Sequence, residues 1–293
     1  MKVLLAIDKS FHAEQAGRAL CQCFTGAEVE VLHVLDLEAT PHPHLSAALI
    51  DWYHKKIRSL LETEANQFLP KVQALLSTSC RNVRVSIREG RAAEVILQTA
   101  ASSRHDLIVL GSRGLSEIQS LLLGSVSYRV AHESICPVLI IKRELPVIRK
   151  ILLAVDRSQG ADRAVEFLAE KSLVPPCLVL ALTVSPSRLL AELLPESSRR
   201  HAQESASAYL SEVECRLATR GFAVEPRIVE GDPAAEILLH AEAEGIDLIV
   251  MGARGIHGLA KRWLLGNVSR KVLVHATKSV LIVPAGADHA VTT

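Results

Sequence analysis

The chain has 293 residues, with 33 Lys and Arg against 32 Asp and Glu for a formal net charge of +1, and it is 49% hydrophobic and 22% charged. That balance is ordinary for about two globular domains; it predicts neither a polyanion-binding surface nor a disordered acidic tail, and no basic helix or interleaving of aromatic and basic residues points to nucleic acid. No apolar run approaches the ~18 residues of a membrane span, and Lys2, five apolar residues and Asp8 make too short a core for a signal peptide, so the expected address is the cytoplasm.

Short Val/Ile/Leu runs alternate with longer amphipathic stretches. The first half predicts strands near 2–7, 29–35, 83–88, 107–110 and 138–142, with helices near 12–23, 45–77, 92–103 and 124–134. The second half predicts strands near 150–155, 177–184, 223–229, 247–251 and 279–283, with helices near 160–170, 189–219, 233–244 and 266–276. Strand and helix in alternation imply β-α-β units and a parallel sheet. Several runs are apolar at consecutive positions, as strands covered on both faces require. Right-handed crossovers then lead to a doubly wound, open, five-stranded parallel sheet in each half. Aromatics are 3% of the chain, so the cores must be aliphatic.

The two halves repeat one another. "VLLAID" ending at Asp8 returns as "ILLAVD" ending at Asp156, "REGRAAEVIL" from Arg88 as "VEGDPAAEIL" from Val229, "DLIVLGSRG" from Asp106 as "DLIVMGARG" from Asp247, and "CPVLII" from Cys136 as "KSVLIV" from Lys278. The offset is 148 at the first motif, 141 at the third and 142 at the last, so order and spacing are both kept. This is a duplicated domain, long enough per copy to bury a core. Expected domains are 1–143 and 147–285, joined by the short linker "KRELPVIRK" with Pro146.

Six cysteines, Cys21, Cys23, Cys80, Cys136, Cys177 and Cys215, form no C-x-x-C and do not recur at matching places; they read as buried or surface thiols, not a disulfide framework. There is no G-x-x-x-x-G-K-[ST], no G-x-G-x-x-G after the first strand and no G-x-S-x-G. His42-Pro43-His44 lacks a Cys or carboxylate at ligand spacing and reads as a solvated loop, so no metal site is assigned. His33 reads as a strand residue, not a catalytic base.

In an open α/β sheet, ligands bind outside the C-terminal strand ends at the topological switch point. Asp8 and Asp156 end the first strand of each copy. Gly111-Ser112-Arg113-Gly114 and Gly252-Ala253-Arg254-Gly255 follow the fourth, and Gly124-Ser125 or Gly266-Asn267 then opens a helix. Glycine lets the backbone approach a ligand, and amides at a helix start attract phosphate. The crevice therefore has an acceptor for a base amine at one end and a phosphate cradle at the other. Each piece alone has a bland reading as a turn, a cap or an N-cap; together, on one sheet edge and repeated twice, they outweigh it.

Gly111-x-x-Gly114, nine residues and Gly124-Ser125, preceded by "DLIVLG" and followed by "PVLIIK", together with Asp8, resemble the ATP-binding class of the universal stress protein family. The resemblance covers almost the whole chain and implies a tandem two-domain member with a Rossmann-like fold of the adenine nucleotide alpha hydrolase kind. It also implies that Asp8 accepts from adenine, that backbone groups around Val34, after the second strand, hold the base edge, that Gly111 and Gly114 pass close to ribose and phosphates, and that Gly124, Ser125, Val126 and Ser127 supply amides and hydroxyls to the phosphates. ATP, or another adenine nucleotide, with Mg2+ is the implied ligand.

The second copy departs from the pattern. Ten residues, Ile256 to Leu265, separate Gly255 from Gly266, and Asn267 stands where the first copy has Ser125, although Asp156 and Ser269 are kept. The extra residue must be absorbed as a longer loop or a helix bulge, which would displace the phosphate-binding amides by a few Å; this copy is expected to be the weaker nucleotide site, with another ligand or a structural role as the alternatives. The functional expectation is a cytoplasmic stress regulator that acts by binding nucleotide and shifting a domain or assembly equilibrium, with no nucleic-acid or membrane partner. A slow ATPase or adenylating enzyme, and a nucleotide-free scaffold, are the alternatives. Single-domain members of the resembled family pair through the last strand, and an apolar edge there tends to pair. Val138 to Ile141 and Val280 to Val283 are thus expected to meet as an intramolecular pseudo-dimer with Ile140 and Ile282 near the contact, leaving a homodimer possible through other surfaces.

Overall fold

In the computed structural model, residues 1–36, 47–113, 123–145, 147–171, 175–185, 195–254 and 265–285 are described. The first copy runs β1 (Lys2–Ala6), α1 (Phe11–Cys23), β2 (Glu28–Leu35), α2 (Ala47–Leu76), β3 (Asn82–Glu89), α3 (Ala92–Ser102), β4 (Leu107–Gly111), α4 (Ser125–Glu133) and β5 (Val138–Ile141). The second runs β6 (Lys150–Ala154), α5 (Gln159–Glu170), β7 (Leu178–Ser185), α6 (Glu196–Ala218), β8 (Ala223–Glu230), α7 (Pro233–Ala243), β9 (Leu248–Gly252), α8 (Asn267–His275) and β10 (Ser279–Val283). The expected runs become these elements because successive side chains of a strand serve opposite faces. Val3 and Leu5 enter one core, which holds Leu20, Leu69, Val165 and Leu217 of α1, α2, α5 and α6. Leu4 and Ala6 enter the other, with Ile96, Val130, Ile237 and Val272 of α3, α4, α7 and α8.

The strand order is β3-β2-β1-β4-β5-β10-β9-β6-β7-β8 in one ten-stranded sheet. Each copy is a parallel, doubly wound five-stranded sheet, as expected, and the two join edge to edge. At the junction β5 and β10 run antiparallel, with Ile140 opposite Val280, Leu139 opposite Leu281 and Val138 opposite Ile282. An antiparallel join of two parallel sheets turns their C-terminal edges to opposite ends of the molecule.

Both cores continue through the junction. Leu139, Ile141, Leu281 and Val283 lie in one, and Val138, Ile140, Val280 and Ile282 in the other. Full burial of a side chain of this size contributes roughly 2 kcal/mol, so the paired edges are part of the hydrophobic interior. The linker contributes too: Leu145 and Ile148 are buried in the first core, while Pro146 falls outside the described residues.

Candidate functional site

The switch point of the first copy lies between β1 and β4. β1 leads to α1 on one face and β4 toward α4 on the other, so the chain parts above these two strand ends. Asp8 stands at the end of β1, where its Oδ1 accepts the Ser10 N–H at 2.9 Å. Ser10 caps α1 by accepting the Ala13 N–H at 3.2 Å, and its hydroxyl donates to the Arg113 carbonyl at 3.2 Å. The loops after β1 and β4 are thereby bolted together beneath the crevice.

Val34 lies inside β2, opposite Arg88 of β3, and not beyond the strand. The Leu32 carbonyl accepts Ile7 N–H at 3.0 Å, on the β1 side. In a strand the backbone groups of alternate residues share a side, so those of Val34 also face β1, whose last pairing with β2 joins Ala6 to Leu32. They look over the gap that Asp8 borders. His33 braces this corner: its Nδ1 lies 2.8 Å from the Ile7 carbonyl, which makes Nδ1 the protonated nitrogen, and its ring meets Phe68 edge-on at 5.1 Å.

On the phosphate side, Gly124 caps α4 without a side-chain bond. Its N–H donates to the Ser112 carbonyl at 2.7 Å, and the Ser112 N–H donates to the Ile141 carbonyl at 2.8 Å. The Ser127 hydroxyl is directed inward, donating to the Gly111 carbonyl at 2.7 Å. It locks α4 to β4. The first-turn amides of Ser125, Val126 and Ser127 lie at the helix end that attracts anions. Ser112 is buried, and its hydroxyl oxygen has no hydrogen-bond partner among the described residues. Gly114 lies outside the described residues.

The second copy repeats the frame closely. Asp156 Oδ1 accepts Ser158 N–H at 3.1 Å, Ser158 donates to the Arg254 carbonyl at 3.1 Å, and the Ser269 hydroxyl to the Gly252 carbonyl at 2.9 Å. Gly266 N–H donates to the Ala253 carbonyl at 2.7 Å. α8 begins at Asn267 as α4 begins at Ser125, and both have 9 residues. α8 itself therefore carries no extra residue, and Gly266 keeps the contact that Gly124 makes in the first copy. Gly255 and Ile256 to Leu264 lie outside the described residues. Gly252 has a packing reason of its own: a Cβ there would stand 2.4 Å from the Gly160 carbonyl carbon, so its lack of a side chain admits α5.

The base-side walls differ. In the first copy Lys9 pairs with Glu64 of α2 at 2.5 Å. In the second, Arg157 adopts a left-handed φ of 62°, donates to Ser205 and sits 5.8 Å over the ring of Tyr209. Tyr209 donates to Asp162 at 2.6 Å, and burial together with Asp162 pushes its hydroxyl pKa upward. Thr183, donating to Val155 at 3.0 Å, replaces the His33 brace.

Sequence reasoning did not single out Ser10 and Ser158. The signal was present as Asp8-Lys9-Ser10 and Asp156-Arg157-Ser158, an acid and a capping hydroxyl repeated at the same spacing. Among the described residues no group of His, Cys, Asp and Glu is arranged to hold a metal ion, and no helix is long and apolar enough to cross a membrane. His42, Pro43 and His44 lie outside the described residues.

Comparison with known proteins gives a consistent picture. The profile of the universal stress protein family matches residues 1–142 and again 148–284. A universal stress protein of Thermus aquaticus is 36% identical over 147 residues, 48% of this chain and 97% of that protein. One from Synechocystis is 25% identical over 297 residues, spanning 95% of this chain and 98% of its own. The crystal structure of a universal stress protein from Archaeoglobus fulgidus covers 97% of this chain and 98% of its own, at a TM-score of 0.69 and 24% identity, and so shares the fold.

Proposed function

Because the chain belongs to the universal stress protein family as a tandem two-domain member, a family of stress-response proteins, we propose that its first domain binds ATP or another adenine nucleotide in the crevice between β1 and β4. The protein then acts in the cytoplasm as a stress-response regulator, by binding instead of turnover. The observation that carries this reading is the convergence of Asp8, the Val34 backbone and the Gly124 turn on one edge, tied by Ser10–Arg113 and Ser112–Gly124 hydrogen bonds.

The donor set suits an adenine nucleotide. Asp8 offers a carboxylate to the exocyclic amine, and Val34 offers backbone groups to the base edge. Gly111 would leave room along the chain for ribose and phosphates, and the family resemblance gives Gly114 the same role. The amides of Ser125, Val126 and Ser127 receive the phosphates, and the buried Ser112 hydroxyl is a further polar group for a phosphate oxygen or its water. The Ser127 hydroxyl contributes by holding the turn to Gly111. Mg2+ would enter on the phosphates. Asp156, Gly252, Gly255, Gly266, Asn267 and Ser269 form the corresponding, weaker cleft of the second domain, the domains being 1–143 and 147–285, with a homodimer open to the remaining surfaces.

Calorimetric titration with millimolar MgATP tests the proposal. Saturable binding to the full chain is expected, and native mass spectrometry of freshly purified protein should show retained nucleotide. Absence of heat, competition and co-purified ligand would leave the scaffold reading in its place.

A further inference from the structure

The cleft as described leaves one buried cation beside it unused. Lys142 directly follows β5, and its ammonium donates to the Leu273 carbonyl at 2.6 Å and the Val274 carbonyl at 3.4 Å. Both carbonyls belong to the last turn of α8, so a residue of the first domain caps a helix of the second. A cation at the C-terminal end of a helix is where the helix dipole favours it. Its backbone N–H also donates to Ser279 of β10 at 3.3 Å.

The same lysine stands next to the first cleft. Ile141 accepts from Ser112, and Ser112 accepts from Gly124, so one rung of the sheet separates Lys142 from the start of α4. Alternation along β4 and β5 puts Ser112 and Lys142 on the face that carries α4 and α8. Burial first, and the nearby Arg113 guanidinium second, lower the Lys142 pKa to about 8. Arg113 is itself held at its carbonyl by Ser10. Two positive side chains and the positive end of α4 therefore crowd one desolvated corner.

We propose that Lys142 is a latch through which helix α8 of the second domain senses an anionic ligand in the first domain's cleft. The inference rests on the nucleotide reading of that cleft. A phosphate at the start of α4 offsets the repulsion between Arg113 and Lys142, keeps the lysine charged and strengthens its hold on the Leu273 and Val274 carbonyls. The opposite end of α8, at Gly266 and Asn267, is the second domain's own phosphate-side turn, so one helix runs from that turn to the lysine beside the first cleft. Pro284 occupies the position matching Lys142 and has no side-chain donor, so the two-fold-related contact onto α4 cannot form. Coupling runs through one latch, and by linkage each cleft feels the other equally.

Amide hydrogen exchange of the full chain, with and without MgATP, tests this in the parent, Lys142→Met and Lys142→Arg. In the parent, ATP should slow exchange by roughly three- to tenfold both at the cleft and at Leu273–Thr277. In Lys142→Met the cleft should respond and the end of α8 should not; Lys142→Arg should keep both responses. Tripolyphosphate, which needs no base recognition, is the second probe. Slowing at α8 by tripolyphosphate but not ATP keeps the latch and removes the adenine reading. A cleft that responds while the end of α8 in the parent does not, or no slowing there with either probe, overturns the latch, and this parent measurement decides even if Lys142→Met does not fold.

Discussion

Leu139 of β5 lies directly opposite Leu281 of β10, and both are completely buried. The two leucines occupy matching positions of the repeat, so the pseudo-two-fold axis relating the domains passes between them. Val138 faces Ile282 and Ile140 faces Val280, each pair being the symmetry image of the other. A repeat that places the same apolar run at the edge of two sheets makes such a self-complementary join available.

The join should carry a large share of the stability. Ile140 is fully buried in a core that spans both domains, so Ile140→Ala should lower the unfolding free energy by ~2–4 kcal/mol. Urea unfolding checks the size of the loss. Residues 1–143 expressed alone should self-associate through the uncovered β5, and a fragment that stays monomeric at high concentration in the ultracentrifuge would contradict the role given to this edge.

Asp8→Ala should weaken ATP binding to the first domain by ~10- to 100-fold, the loss of one hydrogen bond to a charged group. Ser127→Ala should act differently. It leaves the Gly111 carbonyl without its hydroxyl donor, at a stability cost of ~1–3 kcal/mol. Calorimetry separates the two effects; parent-like affinity in folded Asp8→Ala would move the cleft elsewhere.

The second cleft should be the weaker one. Its extra residue does not shift α8, so on the phosphate side the difference rests on Asn267 for Ser125, Ala253 for Ser112 and Pro284 for Lys142. Ala253→Ser with Asn267→Ser should raise its affinity. Equal ATP occupancy of both clefts in the parent, seen by native mass spectrometry, would count against this inequivalence.

Stability should fall on acidification through and below about pH 6.5, the ordinary histidine value. His105 is buried with Nε2 3.3 Å from Glu30 Oε2, and burial, outweighing Glu30, lowers its pKa below 6.5. The unfolded chain therefore takes up a proton first, and stability present above pH 6.5 is lost as pH drops through that value toward the lower folded pKa. His105→Gln should flatten the slope of Tm against pH in this window; an unchanged slope would assign it to other groups.

Lys142 gives a slope of the same sign at higher pH. Its folded pKa of about 8 lies below the ordinary 10.5, so the unfolded chain holds more protons and stability rises as pH climbs through 8. Buried Cys23, Cys80 and Cys177, with pKa values pushed up to about 11 from 9.0, act oppositely once unfolded thiols ionise. Denaturant titrations from pH 7 to 8, below the range in which the unfolded thiols ionise, should show the rise in the parent and its absence in Lys142→Met.

The order and type of the elements were legible from the sequence, because short apolar runs alternate with longer amphipathic stretches throughout both halves, and α2 keeps its pattern through Pro70. The positions of Asp8, Gly111 and Gly124 on one sheet edge were legible too, since β-α-β handedness dictates which strand ends share an edge. What the repeat alone determined was therefore two doubly wound domains with a ligand edge each. Tertiary structure decided how those edges are held. The Ser10–Arg113 contact spans 103 residues and the Lys142–Leu273 contact 131, and no local period records a bond whose partner arrives only when two sheets have paired. The continuous cores and the single latch exist because β5 and β10 join antiparallel, which brings the end of α8 to Lys142 beside the first domain's cleft, while Pro284 leaves the other corner without a counterpart of that lysine.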